Sequence, residues 1–406
     1  MPQNWKPTRI GDICKTNTQT YSVSERWPFV NYLDTGNITE NRIGEIQHLV
    51  TGKDTLPSRA RRKVAVDDIL YSTVRPNQRH YGIVKEVLPN MLVSTGFTVI
   101  TPDKAESDPD FLYYYLSQND IVDGLHAIGE QSVSAYPSIK PSDIEGLEML
   151  LPPLQEQVEI GRILRALDDK IANNSKINHH LEQMAQAIFK SWFVDFEPFG
   201  GKMPVDWHEG TISDLGEVIG GSTPSKAKPE YFTEHGIAWI TPKDLSDSKS
   251  KFIAHGADDI TELGLQNSSA RLMPRGAVLF SSRAPIGYIA IANCDVCTNQ
   301  GFKSIVPNES VGTAFIYYFL MENLQTIESM ASGSTFKEIS GGTMKKVPAI
   351  IPDKDTLRHF QAECTPIFEK QELLEAENTC LARIRDSLLP QLMSGELSIA
   401  DIDSVK

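Results

Sequence analysis

The chain has 406 residues, 40% of them apolar and 23% charged, with a formal net charge of −14. That is the balance of a folded, soluble chain with room for two to four domains. Five cysteines (Cys14, Cys294, Cys297, Cys364 and Cys380) are too few and odd in number for a disulfide framework. No apolar run of about 18 residues offers a membrane span, and the start, MPQNWKPTRIGDIC, has no apolar signal core, so a cytoplasmic protein is expected. The acid excess is segregated. Arg42–Lys85 holds nine Lys/Arg against four Asp/Glu, whereas Thr101–Leu150 holds two against ten. A basic segment inside an acidic chain remains compatible with a phosphate-facing surface.

In chain order, residues 1–151 form a mixed domain of short strands and turns. Val64–Ser72 and Met91–Ile100 have the β-branched and aromatic content of strands bounded by Pro, Asn and Gly, and Phe111–Asp123 has that of a short helix. Residues 152–196 form one long helix opened by Pro152 and Pro153. Along it Ile160, Leu164, Leu167, Ile171, Asn174, Asn178, Leu181, Ala185, Ile188 and Trp192 alternate spacings of four and three. A seam of period 3.5 calls for a partner helix. Some forty residues make a rod of roughly 60 Å. A Gly/Pro-rich linker, Glu197–Pro204, opens a second domain, 197–352; a second long helix, 353–397, and a tail, 398–406, follow. Gly395 is a plausible stop for that helix.

The chain is one plan written twice. Shifted by 200 residues, the seam falls on Phe360, Cys364, Ile367, Gln371, Leu374, Asn378, Leu381, Arg385, Leu388 and Leu392. Pro366 is expected to kink this second helix. Upstream, Phe111–Leu116 matches Phe315–Leu320, Ile69–Ser72 matches Val278–Ser281, and Trp5 matches Trp207, while the loops between share almost nothing. A common scaffold with different loops suits two copies that read different things. Pairing the rods antiparallel about a pseudo-twofold axis sets Trp192 against Phe360, Ala185 against Ile367, Asn174 against Asn378 and Ile160 against Leu392. The amide pair is a device that fixes register. Asn178 would then face Leu374, a poor match.

Catalytic patterns are missing from the sequence. Cys294-Asp-Val-Cys297 has no second half for a zinc site, and His179-His180 reads as a solvated helix face. No metal site is expected. Gly220–Lys226 lacks the phosphate-loop frame, and Pro224 removes an amide that such a cradle needs. The single Pro-Pro pair starts the rod instead of forming a methyltransferase loop, and no nuclease carboxylate cluster stands out. The binding signals are different. Arg59, Arg61, Arg62, Lys63, Arg75 and Arg79 crowd into about twenty residues with Gln78 and His80, a composition suited to phosphate contacts and base readout from loops. In the second domain Ser222, Thr223 and Lys226 form a polar loop, joined as candidates by Lys243 and Arg283. Asn77, Gln78, Asn299 and Gln300 are of the types that read adenine, although each also suits a turn.

The run LPPLQEQVEIGRILRALDDKI…N…LEQMAQAIFKSWFVDF resembles the central region of the specificity subunits of type I restriction–modification systems. GGSTPSK with WITPKDL (Gly220–Leu245), GSTFKEI (Gly333–Ile339) and LLPQLMSGEL (Leu388–Leu397) resemble further landmarks of that family. The resemblance implies an α+β chain with two mixed α/β target recognition domains separated by two long antiparallel coiled-coil helices. It implies a non-catalytic subunit that reads a bipartite, asymmetric DNA site, with helix length setting the gap between the halves. The implied partners are double-stranded DNA, two modification (methyltransferase) subunits and restriction/translocase subunits. S-adenosylmethionine, ATP and Mg are expected on those partners, with no cofactor on this chain. The first domain lacks a Gly-Gly-x-Thr-Pro element; Lys15–Tyr21 stands there, the mark of a different recognition subtype. The competing reading is a coiled-coil scaffold or adaptor whose end domains bind proteins.

Overall fold

Trp5 and Trp207 open two copies of one arrangement. The computed structural model describes residues 4–131, 137–333 and 337–400. It forms two compact units, Met1–Ile171 with Cys380–Lys406, and Ala172–Thr379. Those boundaries fall inside the long helices, because each unit's core includes a stretch of both helices.

In the first unit, Lys6–Arg9 pairs antiparallel with Glu148–Leu151, tying the two ends of the domain together. One four-stranded sheet runs Cys14–Thr16, Phe97–Pro102, Ile69–Ser72, Tyr81–Ile83. The other runs Gln47–Val50, Phe29–Leu33, Met91–Ser94, Ala60–Lys63. The apolar run Met91–Ile100 is therefore two strands, since the chain passes from one sheet to the other at Thr95-Gly96. Leu33, Leu70, Met91, Val93, Phe97 and Val99 share the core between them. The helix expected over Phe111–Asp123 is also two, Pro109–Ser117 and Asn119–Glu130, parted where Gln118 turns extended (ψ 142°). Asp108 caps the first, its Oδ1 accepting from Phe111 N–H at 2.9 Å. Phe111–Leu116 are all buried. Ile69, Tyr71 and Ile100 of the sheet and Ile160, Leu164 and Leu392 of the long helices belong to the same core as this helix. A helix packed from several sides carries no polar face.

The second unit repeats the plan. His208–Thr211 pairs with Pro348–Ile351. One sheet runs Gly216–Gly220, Lys303–Pro307, Val278–Ser282, Ile286–Ala292, Phe252–Ile253, and the other Phe232–Thr233, Asp258–Ile260, Ile237–Ile240, Val296–Thr298. Each unit even keeps one parallel pair at the same place in its second sheet, Phe29–Leu33 with Met91–Ser94 and Ile237–Ile240 with Val296–Thr298. Each opening tryptophan donates its indole N–H to a carboxylate where its unit's long helix starts: Trp5 to Glu156 at 3.3 Å and Trp207 to Asp353 at 3.0 Å.

The long helices are Leu154–Phe193 and Lys354–Ser394. In the second unit, the Trp192 and Phe360 rings lie 6.1 Å apart, Ala185 and Ile367 share a core, and Asn174 Nδ2 donates to Asn378 Oδ1 at 3.0 Å. In the first unit, Ile160 and Leu392 share a core, and Arg385 pairs with Asp168 at 2.6 Å. A step up one helix is matched in each unit by a step down the other, so the pair is antiparallel. Asn178 is relieved not by Leu374 but by the next residue, donating to Glu375 Oε1 at 3.3 Å. Leu167, Leu181, Ile188, Leu381 and Leu388 are half-buried; Ile171 and Leu374 are buried. The second helix runs unbroken through Pro366. Buried Phe360, Cys364 and Phe368 hold the flanking turns in the core while the proline lacks its N–H. It ends at Gly395, whose φ of 70° suits glycine, with Leu397 N–H returning to Gln391 O at 3.1 Å.

Candidate nucleic-acid interface

In the second unit, Gly216–Gly220 leads into the loop that carries Ser222, Thr223 and Lys226. Ser222 N–H donates to Thr298 O at 2.8 Å, and the Trp239 indole to Ser222 O at 3.0 Å. The two motifs GGSTPSK and WITPKDL therefore touch. A Cβ at Gly221 would collide with the carbonyl of Asn299, so the loop approaches this closely only with glycine. Beneath it is the turn Thr298–Phe302. Asn299 is a turn residue, its Oδ1 accepting from Gly301 N–H at 2.8 Å, whereas Gln300 is exposed and its Oε1 accepts from the Thr223 hydroxyl. Beside the turn, Arg283 and Lys303 approach Glu338 at 3.5 and 3.7 Å. Burial draws the Lys303 ammonium below the usual lysine value; Glu338 opposes that shift and Arg283 adds to it. Lys226 and Lys243 are exposed. Lys243 rides the first turn of helix Pro242–Ser248, which Thr241 and Asp244 cap reciprocally. Ser334–Phe336 of the GSTFKEI motif lie outside the described residues.

The first unit has the same station with different furniture. Thr73 N–H donates to Gly96 O at 2.8 Å as Ser282 N–H does to Gly301 O at 2.7 Å. Ile139 N–H donates to Thr73 O at 2.9 Å as Ile339 N–H does to Ser282 O at 3.0 Å. The turn Ser94–Phe97 thus corresponds to Thr298–Phe302. Against it lies the basic segment, with Thr95 N–H donating to Arg59 O at 2.8 Å. Read from the sequence as a loop, Ala60–Lys63 is an edge strand of the second sheet. The segment Lys15–Tyr21, which replaces the Gly-Gly-x-Thr-Pro element, packs along it: Tyr21 N–H donates to Arg61 O at 2.7 Å and Lys63 N–H to Gln19 O at 3.2 Å.

The cations of this segment are not equivalent. Arg59 is exposed, Arg61 and Arg62 are half-buried, and Arg62 Nε has no hydrogen-bond partner among the described residues. Lys63 is neutralised by Glu25 at 2.6 Å and sits 5.3 Å from the Trp27 ring centre; that hydrogen bond holds Glu25 below the usual carboxylate range. Arg75 and Arg79 flank the short helix Pro76–Gln78 in left-handed conformations, with Arg75 and Gln78 exposed. Arg79 points elsewhere. Its guanidinium donates to Asn119 Oδ1 at 2.7 Å and Tyr81 OH at 3.3 Å, and pairs with Glu40 at 3.5 Å. It lines a cavity of about 420 Å³ with Tyr81, Asp168 and Arg385.

Sequence reasoning missed Glu25, Lys303 and Glu338, whose partners are distant in the chain. It also missed Lys251, 8% exposed, whose Nζ meets Glu182 at 2.6 Å, Gln371 at 2.9 Å and Tyr318 OH at 3.1 Å, 3.7 Å above the Phe368 ring. This lysine seats the second domain on its helix pair. Cys297 is buried among Trp239, Ile260 and Ala270, while Cys294 donates to Ala254 O at 3.2 Å. Among the described residues, no group of three or more His, Cys, Asp or Glu is placed to hold a metal ion. Among them, too, no helix is long and apolar enough to cross a membrane.

Two recognition-like copies, each with a divergent polar face at one station and a stretch of both long helices, define a class of chain that comparison makes explicit. Residues 2–183 and 204–379 match the type I restriction modification DNA specificity domain, and the chain belongs to that family. It is 28% identical, over 97% of its length and all of the relative's, to the type I restriction enzyme HindI specificity subunit of Haemophilus influenzae. Over 48% of its length and 45% of the relative's, it is 41% identical to the MjaIX specificity subunit of Methanocaldococcus jannaschii. The crystal structure of a type I restriction–modification S subunit from M. genitalium has the same fold, with TM-score 0.63 at 16% identity over 96% of each chain.

Proposed function

We propose that this specificity subunit reads a bipartite, asymmetric DNA site, one half by each unit, and directs adenine methylation or cleavage by partner subunits while performing no chemistry itself. One observation carries this reading. Arg59 in the first unit, and Ser222, Thr223 and Arg283 in the second, border one corresponding turn, Ser94–Phe97 and Thr298–Phe302. A shared scaffold with divergent polar side chains at the same place suits two readers of different sequences. Arg59, Arg61 and Arg62 supply salt-dependent phosphate affinity in the first unit; Lys226, Lys243 and Arg283 do so in the second. Modification subunits dock along the long helices, where Met184 and Leu373 are 55% and 59% exposed. S-adenosylmethionine, ATP and Mg act on the partner subunits. Gel-shift selection from randomised duplexes, with and without the modification subunit, tests the reading. Enrichment of a two-part motif supports it; binding without sequence preference supports the scaffold alternative, to which the acidic net charge and exposed helix apolars also fit.

A further inference from the structure

Gln300 combines exposure with fixation, which few surface side chains do. Its backbone sits in a turn held by Asn299 on Gly301 N–H, by Phe302 N–H on Asn299 O (3.3 Å), and by Asn299 N–H on Ile240 O (3.0 Å). Lys303 Nζ reaches the Gln300 carbonyl at 3.4 Å from below and Ser282 Oγ at 3.4 Å. The side chain is then oriented by the Thr223 hydroxyl on Oε1. That hydroxyl uses one of the two lone pairs of the amide oxygen. Among the described residues, the second lone pair and both Nε2 hydrogens stay available, side by side in one plane. This is the donor–acceptor couple that matches N7 and the N6 amino group of adenine in the major groove. Free surface glutamines lose rotamer entropy on binding; this one has lost part of it already.

Resting on the proposed DNA reading, we infer that Gln300, positioned by Thr223, is a specificity-determining residue that reads one adenine in the half-site of the second unit. The turn it occupies corresponds to the one that Arg59 flanks in the first unit, so the same station serves phosphate affinity there and base readout here.

The test uses the full chain with its modification subunit and maps methylated adenines in a host that lacks other adenine methylation. With Q300A, one adenine of one half-site relaxes, discrimination there falling roughly 5- to 150-fold, while the other half-site and the gap stay unchanged. Q300E, an acceptor without the donor, moves the preference at that position toward cytosine. T223A relaxes the same position and T223S restores it. A variant too weak to methylate is read by binding. 7-Deaza-adenine placed at each adenine of the half-site in turn weakens the wild type at one position, to which Q300A is indifferent. An unchanged motif with both Gln300 variants, relaxation at a base pair other than A·T, or loss spread over both half-sites overturns the inference. A wild type with no bipartite motif overturns the DNA reading itself, a separate outcome.

Discussion

Arg61 and Arg62 differ from Lys63 and Arg79 in what already holds them. Lys63 and Arg79 have carboxylate partners within 2.6 and 3.5 Å, whereas Arg61, among the described residues, has only a backbone carbonyl at 3.3 Å. Charges with no counter-charge are the ones that release DNA counterions. Replacing Arg61 and Arg62 by Ala is expected to weaken binding to all duplexes alike and to flatten the slope of log affinity against log salt by about 1 for each phosphate no longer neutralised. Affinity and slope measured by titration at several salt concentrations check this; unchanged values place that strand off the DNA. The clustering of cations was legible in the sequence because charge needs no fold to be seen. Their pairing was not, since Glu25 lies 38 residues from Lys63 and Glu40 lies 39 from Arg79. The same holds for Gln300, whose residue type marked it as a turn or reader and whose Thr223 partner lies 77 residues away.

At the scale of elements, the long helices were the most legible part, because period 3.5 is a local property and the 200-residue repeat supplied the partner. The antiparallel register follows from the pseudo-twofold repeat and the Asn174–Asn378 amides. Pro366 does not break the second helix, because tertiary packing overrides local propensity. The single strand Met91–Ile100 and single helix Phe111–Asp123 failed because neither break has a strong local mark; Thr95-Gly96 and Gln118 are ordinary residues at a sheet crossing and a helix junction. The start of the second helix gives a sharper test. Asp353 Oδ1 accepts from Asp355 and Thr356 N–H, both at 2.9 Å, and Oδ2 from Thr356 Oγ1 at 2.6 Å. Burial alone would raise its pKa, but the hydrogen bonds from Thr356 and Trp207 outweigh that and hold the carboxyl below the usual range. A depressed acid stabilises fully above its unfolded value of about 4 and loses that contribution as pH falls through the lowered value. Asp353→Ala is expected to cost about 1 kcal/mol at neutral pH, and the gap to wild type should close in acid. Thermal unfolding across pH checks both; a difference that does not shrink in acid contradicts the role given to the charge.

For the whole molecule, the repeat makes the two-domain plan visible in the residues themselves, while the divergent loops hide the recognition surface. Only the corresponding hydrogen bonds at Thr73 and Ser282 reveal that the loops occupy one station. Under the ruler role implied by the family resemblance, helix length sets the gap in the DNA site. Deleting one matched heptad from both helices, 171–177 with 375–381, keeps the seam in phase. It should shorten the gap by roughly three base pairs, since seven residues rise about 10 Å and one base pair about 3.4 Å. Both half-sites should persist; an unaltered gap would show that the helices do not measure it. The central claim, that two units read two half-sites, is tested most directly by mapping methylated adenines genome-wide in cells that express this chain with its modification subunit. The expected result is one asymmetric motif of two specified blocks separated by a gap of constant length and free sequence. A single uninterrupted motif, or methylation without a motif, would contradict it.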